Sequence, residues 1–313
     1  MISFGPVPSR RLGRSLGINN IVRPKVCSYS CIYCQVGKTK RLDITRQSFF
    51  DPELIVHEVS SHLGKLNSQE MPDYLTFVSN GEPTLDRNLG RSIRMIKRFG
   101  IPVAVITNAS LLWQEGVRDE LMDADWVSLK IDAATDELWR TISRPSPDLV
   151  YDTILDGIFR FSGEYHNRLN TETMLCGGVN DNDSNLSGVA DIIKKTGAGK
   201  SYISIPVRPP AEADVLPPEA DRVNMAWQFF TEAGIDAELL TGFEGTDTGY
   251  TGNSYEDILN ITSVHPLRDD AIQELLDKNG TGFSVVESLL AQNLIRCSDY
   301  RGRKFYLRNF QVG

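Results

Sequence analysis

The sequence predicts an α/β fold: a partial (β/α)6 barrel of parallel strands, followed by a small C-terminal winged-helix-like domain. Three observations carry this. Short β-rich runs alternate with amphipathic helical segments from residue 15 to about 240, the pattern of parallel strands joined by helical crossovers. One of those runs, VSLKIDA, places Ser128, Lys130 and Asp132 on one face and Val127, Leu129 and Ile131 on the other. The apolar face can pack on helices, whereas the polar face must line a wet or ligand-filled interior. A closed barrel of this type fills its centre with side chains, so an open barrel around a ligand is favoured. Lastly, the composition changes after His265-Pro266.

The elements follow in order. The first strand is expected over 15–22, ahead of a cysteine-rich loop. Asp51-Pro52 then starts a helix, a capping carboxylate before a proline in the first turn. Its residues Ile55, Val56, Val59, Leu63 and Leu66 recur at helical spacing. Further strands are expected at YLTFVSN (74–80), IPVAVITN (101–108), WVSLKID (126–132), NTETMLC (170–176) and SYISIPV (201–207), with helices between most of them. The five prolines in 206–218 read as a stiff extended connection. The Gly- and Thr-rich residues 241–254 open a linker or lid, placed over 241–263. The expected domains are thus 1–240 and 264–313. In the second, RDDAIQELLDKNG and SVVESLLAQN read as helices, and LIRCSDYRGRKFYLRN as a hairpin turning near Arg301-Gly302.

The chain has 313 residues, 41% hydrophobic and 24% charged, ordinary for a globular protein. No apolar run is long enough to span a bilayer, and the N-terminus has no apolar signal core, so a cytoplasmic protein without a membrane partner is expected. The net charge of −8 argues against binding nucleic acid over the whole surface, but not through a local basic patch. Three of the five cysteines crowd into VCSYSCIYCQVG, at Cys27, Cys31 and Cys34. A disulfide framework does not look like this; a metal site in a reducing compartment does. Three thiolates on one short loop can hold three corners of an iron–sulfur cubane and leave the fourth iron without a protein ligand, whereas electron-transfer clusters normally have four cysteines. The alternative is a structural zinc site. Such sites usually pair their ligands and close with a fourth, and His57 and His62 stand a full helix away.

The C-x3-C-x2-C spacing, with Tyr33 before the last cysteine, resembles the signature of the radical S-adenosylmethionine (SAM) superfamily. The resemblance implies one 4Fe-4S cluster on Cys27, Cys31 and Cys34, with SAM chelating the open iron. It also implies a low-potential electron donor such as ferredoxin or flavodoxin. Reductive cleavage would then give methionine and a 5′-deoxyadenosyl radical that abstracts hydrogen from a substrate, the protein supplying binding and orientation. Asn80-Gly81-Glu82-Pro83 resembles the family's GGEP segment, which receives the SAM ammonium group, with Asn in place of the first Gly. A strand-ending turn is the alternative. Lys130 falls where related activating enzymes carry a lysine that meets the SAM carboxylate, and Ser204 where a later strand meets the adenine. Asn108, at a strand's C-terminal end, is a further inward polar candidate, or a cap. FGPVPSRRLGRSLGINNI before the cysteines resembles a branch grouped with the demethylwyosine synthases of tRNA. Those enzymes hold a second cluster on upstream cysteines, but none precedes Cys27, so neither that cluster nor that reaction is expected.

Other residues stay open at this level. Cys176 shares a strand face with Glu172 and Met174; it could donate a hydrogen atom or proton in turnover, or be a small buried hydrophobe. Cys297 reads as structural. Arg208 could meet a carboxylate or phosphate, or only water. Arg10, Arg11 and Arg14 precede the first expected strand, and Arg303, Lys304 and Arg308 interleave with Phe305 and Tyr306. Residues 264–313 carry seven Lys/Arg against six Asp/Glu, compatible with RNA contact through basic and stacking groups, and equally with a solvated hairpin. Three functions follow: a radical SAM enzyme modifying RNA, one acting on a protein or peptide such as a glycyl-radical activase, and a non-catalytic metal-binding regulator. The last leaves residues 80–83 and the polar strand face unexplained.

Overall fold

The structure, a computed structural model, describes residues 2–21 and 24–310. Strands β1 (Ser3–Ser9) and β2 (Gly13–Ile18) form an antiparallel hairpin. The short pair β3 (Val26–Cys27) and β4 (Arg41–Leu42) brackets the cysteine loop. Then come α1 (Pro52–Leu63), β5 (Tyr74–Phe77), α2 (Leu89–Ile96), β6 (Val103–Thr107), α3 (Glu115–Leu121), β7 (Trp126–Lys130), α4 (Asp136–Ser143), α5 (Tyr151–Glu164), β8 (Arg168–Met174), α6 (Asp183–Thr196), β9 (Lys200–Ser204), α7 (Ala220–Glu232) and β10 (Ala237–Leu240). The sheet order is β1-β2-β5-β6-β7-β8-β9-β10, with every pair from β2 onward parallel. This is the expected partial barrel, with two strands beyond the six expected.

Both additions lie at the edges. The prolines of SFGPVPS argue against a strand, yet an edge strand tolerates them because one side of its backbone has no ladder to feed. Pairing of β1 with β2 is broken between Phe4 and Val7, around Gly5-Pro6. β10 has four residues, too few for periodicity to register. The first expected strand ends at Ile18; of its last residues, Val22 lies outside the described residues. Elsewhere local chemistry acts as expected: the Asp51 carboxylate accepts from the Glu53 backbone N–H at 2.9 Å, and Ile55, Val56 and Val59 of α1 are buried.

The main core fills the space between sheet and helices, with Phe77, Phe161 and Phe230 fully buried, each side chain worth roughly 1.5–3 kcal/mol of transfer free energy. Within the barrel, Leu12, Ala104, Trp126, Tyr202 and Leu240 form a small separate cluster. Leu12 and Leu240 also border the cavity described below, so this cluster is the apolar floor of an otherwise polar interior.

Residues 241–263, expected as linker or lid, contain α8 (Ser254–Ile261), capped by the Asn253 side chain. Its Ile258 and Ile261 join Phe4 and Val7 of β1 in a second core. The flanking Gly/Thr run hides this helix in the sequence. After it come β11 (Leu267–Arg268), α9 (Asp269–Lys278), α10 (Ser284–Ala291), β12 (Ile295–Tyr300) and β13 (Arg303–Arg308), the strands forming a sheet in the order β11-β13-β12. The hairpin turns at Arg301-Gly302, both with positive φ. Phe305 and Tyr306 are buried, so they stabilise this unit and present no surface on which a base could stack. Arg303 and Lys304 are exposed.

Candidate active site

The cysteine loop is anchored at several points. β3 and β4 pair at its ends, and the backbone N–H groups of Ser30 and Ile32 donate to carbonyls of Ser143 and Ile142 at 3.0 Å. Successive turns bring Cys34 N–H to the Cys31 carbonyl (3.2 Å) and Gly37 N–H to that of Cys34 (3.0 Å). All three thiols line one wall of a cavity of about 330 Å³ at the C-terminal ends of the strands, where parallel sheets place their ligands. Burial pushes the Cys27 thiol up to about 12, and burial with neighbouring negative charge raises that of Cys31. Burial acts on Cys34 too, but the ammonium of Lys25 outweighs it and brings that thiol below its ordinary value. Lys25 donates to Cys34 Sγ at 3.0 Å and to the Gly37 carbonyl at 2.6 Å.

Opposite the loop stand the strand ends. Glu82, 1% exposed, accepts at Oε1 from the Thr84 backbone N–H (3.1 Å), the Thr84 hydroxyl (2.7 Å) and the Thr107 hydroxyl (2.6 Å). Its Oε2 accepts from Asn108 N–H at 2.8 Å and keeps a lone pair free toward the cavity it lines. Burial raises this carboxyl against the pull of those donors. The Asn108 side chain donates to Ser28 Oγ at 2.9 Å and reaches Cys27 Sγ at 3.7 Å.

Lys130 ends β7 beside Glu172 (3.2 Å) and Asp132 (3.9 Å), with its ammonium over the Tyr33 ring. Burial lowers its pKa, against the pull of Asp132. The Tyr33 hydroxyl donates to Asp132 at 2.5 Å, and Asp132 also accepts from Met174 N–H at 2.7 Å. The tyrosine before the last cysteine thereby ties the loop to the ends of β7 and β8. Ser204 donates to Glu172 at 2.9 Å, and Arg11 forms an ion pair with the same carboxylate.

Of the residues singled out from sequence, Cys27, Cys31, Cys34, Tyr33, Gly81, Glu82, Asn108, Lys130 and Ser204 line the cavity. Asn80, Pro83, Ser128, Asp132 and Cys176 do not line it directly. Asn80 and Ser128 are buried, each with a side-chain oxygen lacking a protein partner. Pro83 opens a short 3-10 turn and its carbonyl accepts from Asn20. Gly81 has a packing reason: a Cβ there would stand 1.8 Å from the Val26 carbonyl oxygen, at the entry to the cysteine loop. Cys176 is fully buried in the main core, where burial pushes its thiol up to about 12.

Glu172, Lys25 and Glu244 were not among the candidates. Glu172 sits directly across from Lys130 in the β7–β8 register, and only strand pairing makes it the shared partner of Lys130, Ser204 and Arg11. Arg208 is 8% exposed; it pairs with Glu244, meets His265 Nε2 at 3.0 Å and donates to the Pro266 carbonyl at 3.3 Å.

The donor set fits an iron–sulfur cluster better than a single ion. Among the described residues, no three His, Cys, Asp or Glu side chains converge on a point that one ion could occupy, whereas a cubane takes each cysteine on a different iron. Glu82 and Lys130 offer opposite charges to the two ends of an amino-acid group, and the spare lone pair of Glu82 suits an ammonium. Among the described residues, no helix is long and apolar enough to cross a membrane.

A family model described as the radical SAM superfamily matches residues 21–193. The chain is 43% identical over 312 residues to a UPF0026 protein of Methanocaldococcus jannaschii, covering 99% of this chain and 97% of that one. It is 30% identical over 308 residues to a UPF0026 protein of Helicobacter pylori, covering 97% of each. Among solved structures, a radical SAM methyltransferase from Sphaerobacter thermophilus superposes with a TM-score of 0.55 at 18% identity, over 72% of this chain and 66% of that one, a likeness of fold.

Proposed function

The chain belongs to the radical SAM superfamily, and from that premise we propose that it cleaves SAM reductively and abstracts hydrogen from an RNA. The observation that carries the first half is the convergence of Cys27, Cys31 and Cys34 with Glu82, Asn108 and Lys130 on one cavity. When bound, the cluster supplies the electron, received from a donor of the ferredoxin or flavodoxin class, that splits the carbon–sulfur bond of SAM. In this reading the protein's own groups do the positioning. Glu82 Oε2 receives the SAM ammonium, Lys130 its carboxylate, and Ser204 faces the nucleoside. The apolar cluster of Leu12, Trp126, Tyr202 and Leu240 closes the barrel below and excludes water from beneath.

RNA is favoured as substrate by the basic groups at the cavity. Arg10 lines it, and Arg14 lies beside Arg10 in an adjoining surface pocket. Residues 264–313, read as a winged-helix-like domain, add exposed Arg296, Arg301, Arg303 and Lys304. Such groups follow a phosphate backbone.

The test is anaerobic reconstitution with iron and sulfide, then dithionite and SAM, with 5′-deoxyadenosine as readout. Cys31→Ala is expected to lose the iron, while Cys176→Ala and Cys297→Ala keep it. Cluster-loaded protein that leaves SAM intact overturns the enzymatic reading. Incubation with deuterated bulk tRNA and, separately, deuterated cell protein then assigns the substrate: label in 5′-deoxyadenosine from the RNA alone supports this proposal, and label from protein alone refutes its second half.

A further inference from the structure

A buried lysine stands behind the cluster loop, outside the carboxylate and amide contacts of the cavity. Lys25 is 8% exposed, an unusual place for an ammonium unless it is paired. Its Nζ is shared between Cys34 Sγ at 3.0 Å and the Gly37 carbonyl at 2.6 Å. No carboxylate forms an ion pair with it among the described residues. The carbonyl is neutral, so the cysteine sulfur is the group that compensates the charge. The position is fixed on both sides: Lys40 and Arg41 N–H donate to the Lys25 carbonyl at 3.3 and 3.1 Å, and Val26 and Cys27 pair with β4. At the other two ligand sulfurs the side-chain donors are neutral: Asn108 approaches Cys27 at 3.7 Å through its amide, and the Tyr33 hydroxyl stands by Cys31. Cys34 therefore has the charged contact.

We propose that Lys25 is a tuning residue of the cluster, raising its reduction potential by charge and hydrogen bond at Cys34 Sγ. The physical ground is direct. Thiolate ligation leaves negative charge on the sulfurs, and one-electron reduction adds one more unit to the cluster. A fixed positive charge in a buried site favours the more negative, reduced state more than the oxidised one. A donor on a ligand sulfur acts in the same direction, and such contacts are the protein's usual means of setting these potentials. The electron comes from the external low-potential donor and ends on cluster iron; Lys25 gives up no proton and forms no bond. Its effect is to ease the first electron transfer, at the cost of driving force for the second.

This inference rests on the cluster assignment proposed above, and the experiment keeps the two apart. Wild-type protein that takes up no 4Fe-4S cluster fails that assignment; the tuning role fails only if the cluster forms and the variants do not shift it. The measurement is the midpoint potential of the reconstituted cluster without SAM, by potentiometric titration followed by electron paramagnetic resonance, with iron and sulfide content in parallel. Lys25→Met removes charge and donor, Lys25→Gln removes charge and keeps a donor, and Lys25→Arg keeps both. Lys25→Met is expected to lower the reduced-to-oxidised ratio at a fixed potential by about tenfold, equivalent to a midpoint about 59 mV more negative for one electron. Lys25→Gln should fall between, and Lys25→Arg near wild type. A loop-closing role alone changes iron content and leaves the midpoint of the loaded fraction where it was. Unchanged midpoints in Lys25→Met and Lys25→Gln at full iron content overturn the proposal, and so does failure of both to hold iron while Lys25→Arg holds it at a shifted midpoint.

Discussion

At the scale of single residues, Glu82 shows how one carboxylate can serve the fold and the ligand together. Oε1 is saturated by three donors from Thr84 and Thr107, and Asn108 N–H takes one of the two lone pairs of Oε2, so the second Oε2 lone pair is aimed by the protein's own hydrogen bonds. Glu82→Gln keeps the oxygen for the threonines and sets an amide N–H₂ against Asn108 N–H, leaving a buried donor unmatched at about 1–3 kcal/mol. It also removes the charge that would meet an ammonium. Cluster content is expected to hold while SAM affinity falls roughly tenfold, within the range of a charge-assisted hydrogen bond; equilibrium dialysis with labelled SAM measures it. Equal affinity in the two proteins would assign Glu82 to the strand-ending turn alone. Most of this cavity was legible because its residues sit at fixed offsets in the chain: three cysteines in one loop, Glu82 after one strand, Asn108 and Lys130 at the ends of two others. Glu172 and Lys25 were not. Each has its role through a partner distant in sequence or across a loop, Lys130 in the neighbouring strand and Cys34 beyond two turns.

At the scale of elements, the alternation of strands and helices was readable wherever a strand was long and central, as in VSLKIDA. It failed at β1, whose prolines are tolerated because it is an edge, at β10, which has four residues, and at α8, whose Gly/Thr-rich approach masks a capped helix. The join between β5 and the cysteine loop depends on a close backbone approach instead. A Cβ on Gly81 would meet the Val26 carbonyl oxygen at 1.8 Å, with backbone on both sides of the contact. No rotamer change relieves this. Val26 N-terminally adjoins Cys27, and Glu82 N–H donates to that same carbonyl at 3.3 Å, so any displacement carries the first cysteine and the Glu82 turn with it. Gly81→Ala is expected to destabilise the protein by about 1–3 kcal/mol, the usual range for overpacking, and to lower iron incorporation. Urea denaturation and iron analysis after reconstitution check both, and wild-type values for both would show that the strands part without consequence.

At the scale of the whole molecule, three stretches far apart in sequence meet at Arg208. It follows β9, pairs with Glu244 from the segment after β10, and reaches His265 and Pro266 at the start of the C-terminal unit. Gln35 Nε2 from the cysteine loop donates to the Val264 carbonyl at 3.1 Å, and the Tyr300 hydroxyl of β12 donates to the Pro206 carbonyl at 3.0 Å. Val264 and His265 thereby wall the same cavity as the cysteines. The junction is expected to be acid-sensitive. Burial, then the Arg208 charge, lowers His265 to about 3, so at neutral pH its Nε2 accepts from Arg208. Glu244 is held at about 2, where burial opposes and Arg208 prevails. An unfolded histidine takes a proton near pH 6.5, which the folded one refuses until about pH 3; its contribution is complete above pH 6.5 and declines as pH falls through that window. The Glu244 contribution declines only below about pH 4.5, its value when unfolded, as pH falls toward 2. Between pH 7 and 5 the histidine alone of this pair acts. Buried His62 is shifted in the same direction and adds to the total, so the comparison must be with a variant that keeps it. His265→Gln retains an acceptor for Arg208 and cannot titrate. Wild type is expected to lose about 1–2 kcal/mol more stability than His265→Gln between pH 7 and pH 5, by linkage of proton uptake to unfolding, as read from urea midpoints at the two pH values. Parallel losses in the two proteins would mean that His265 is protonated in the folded state and that the Arg208 junction is not closed as described.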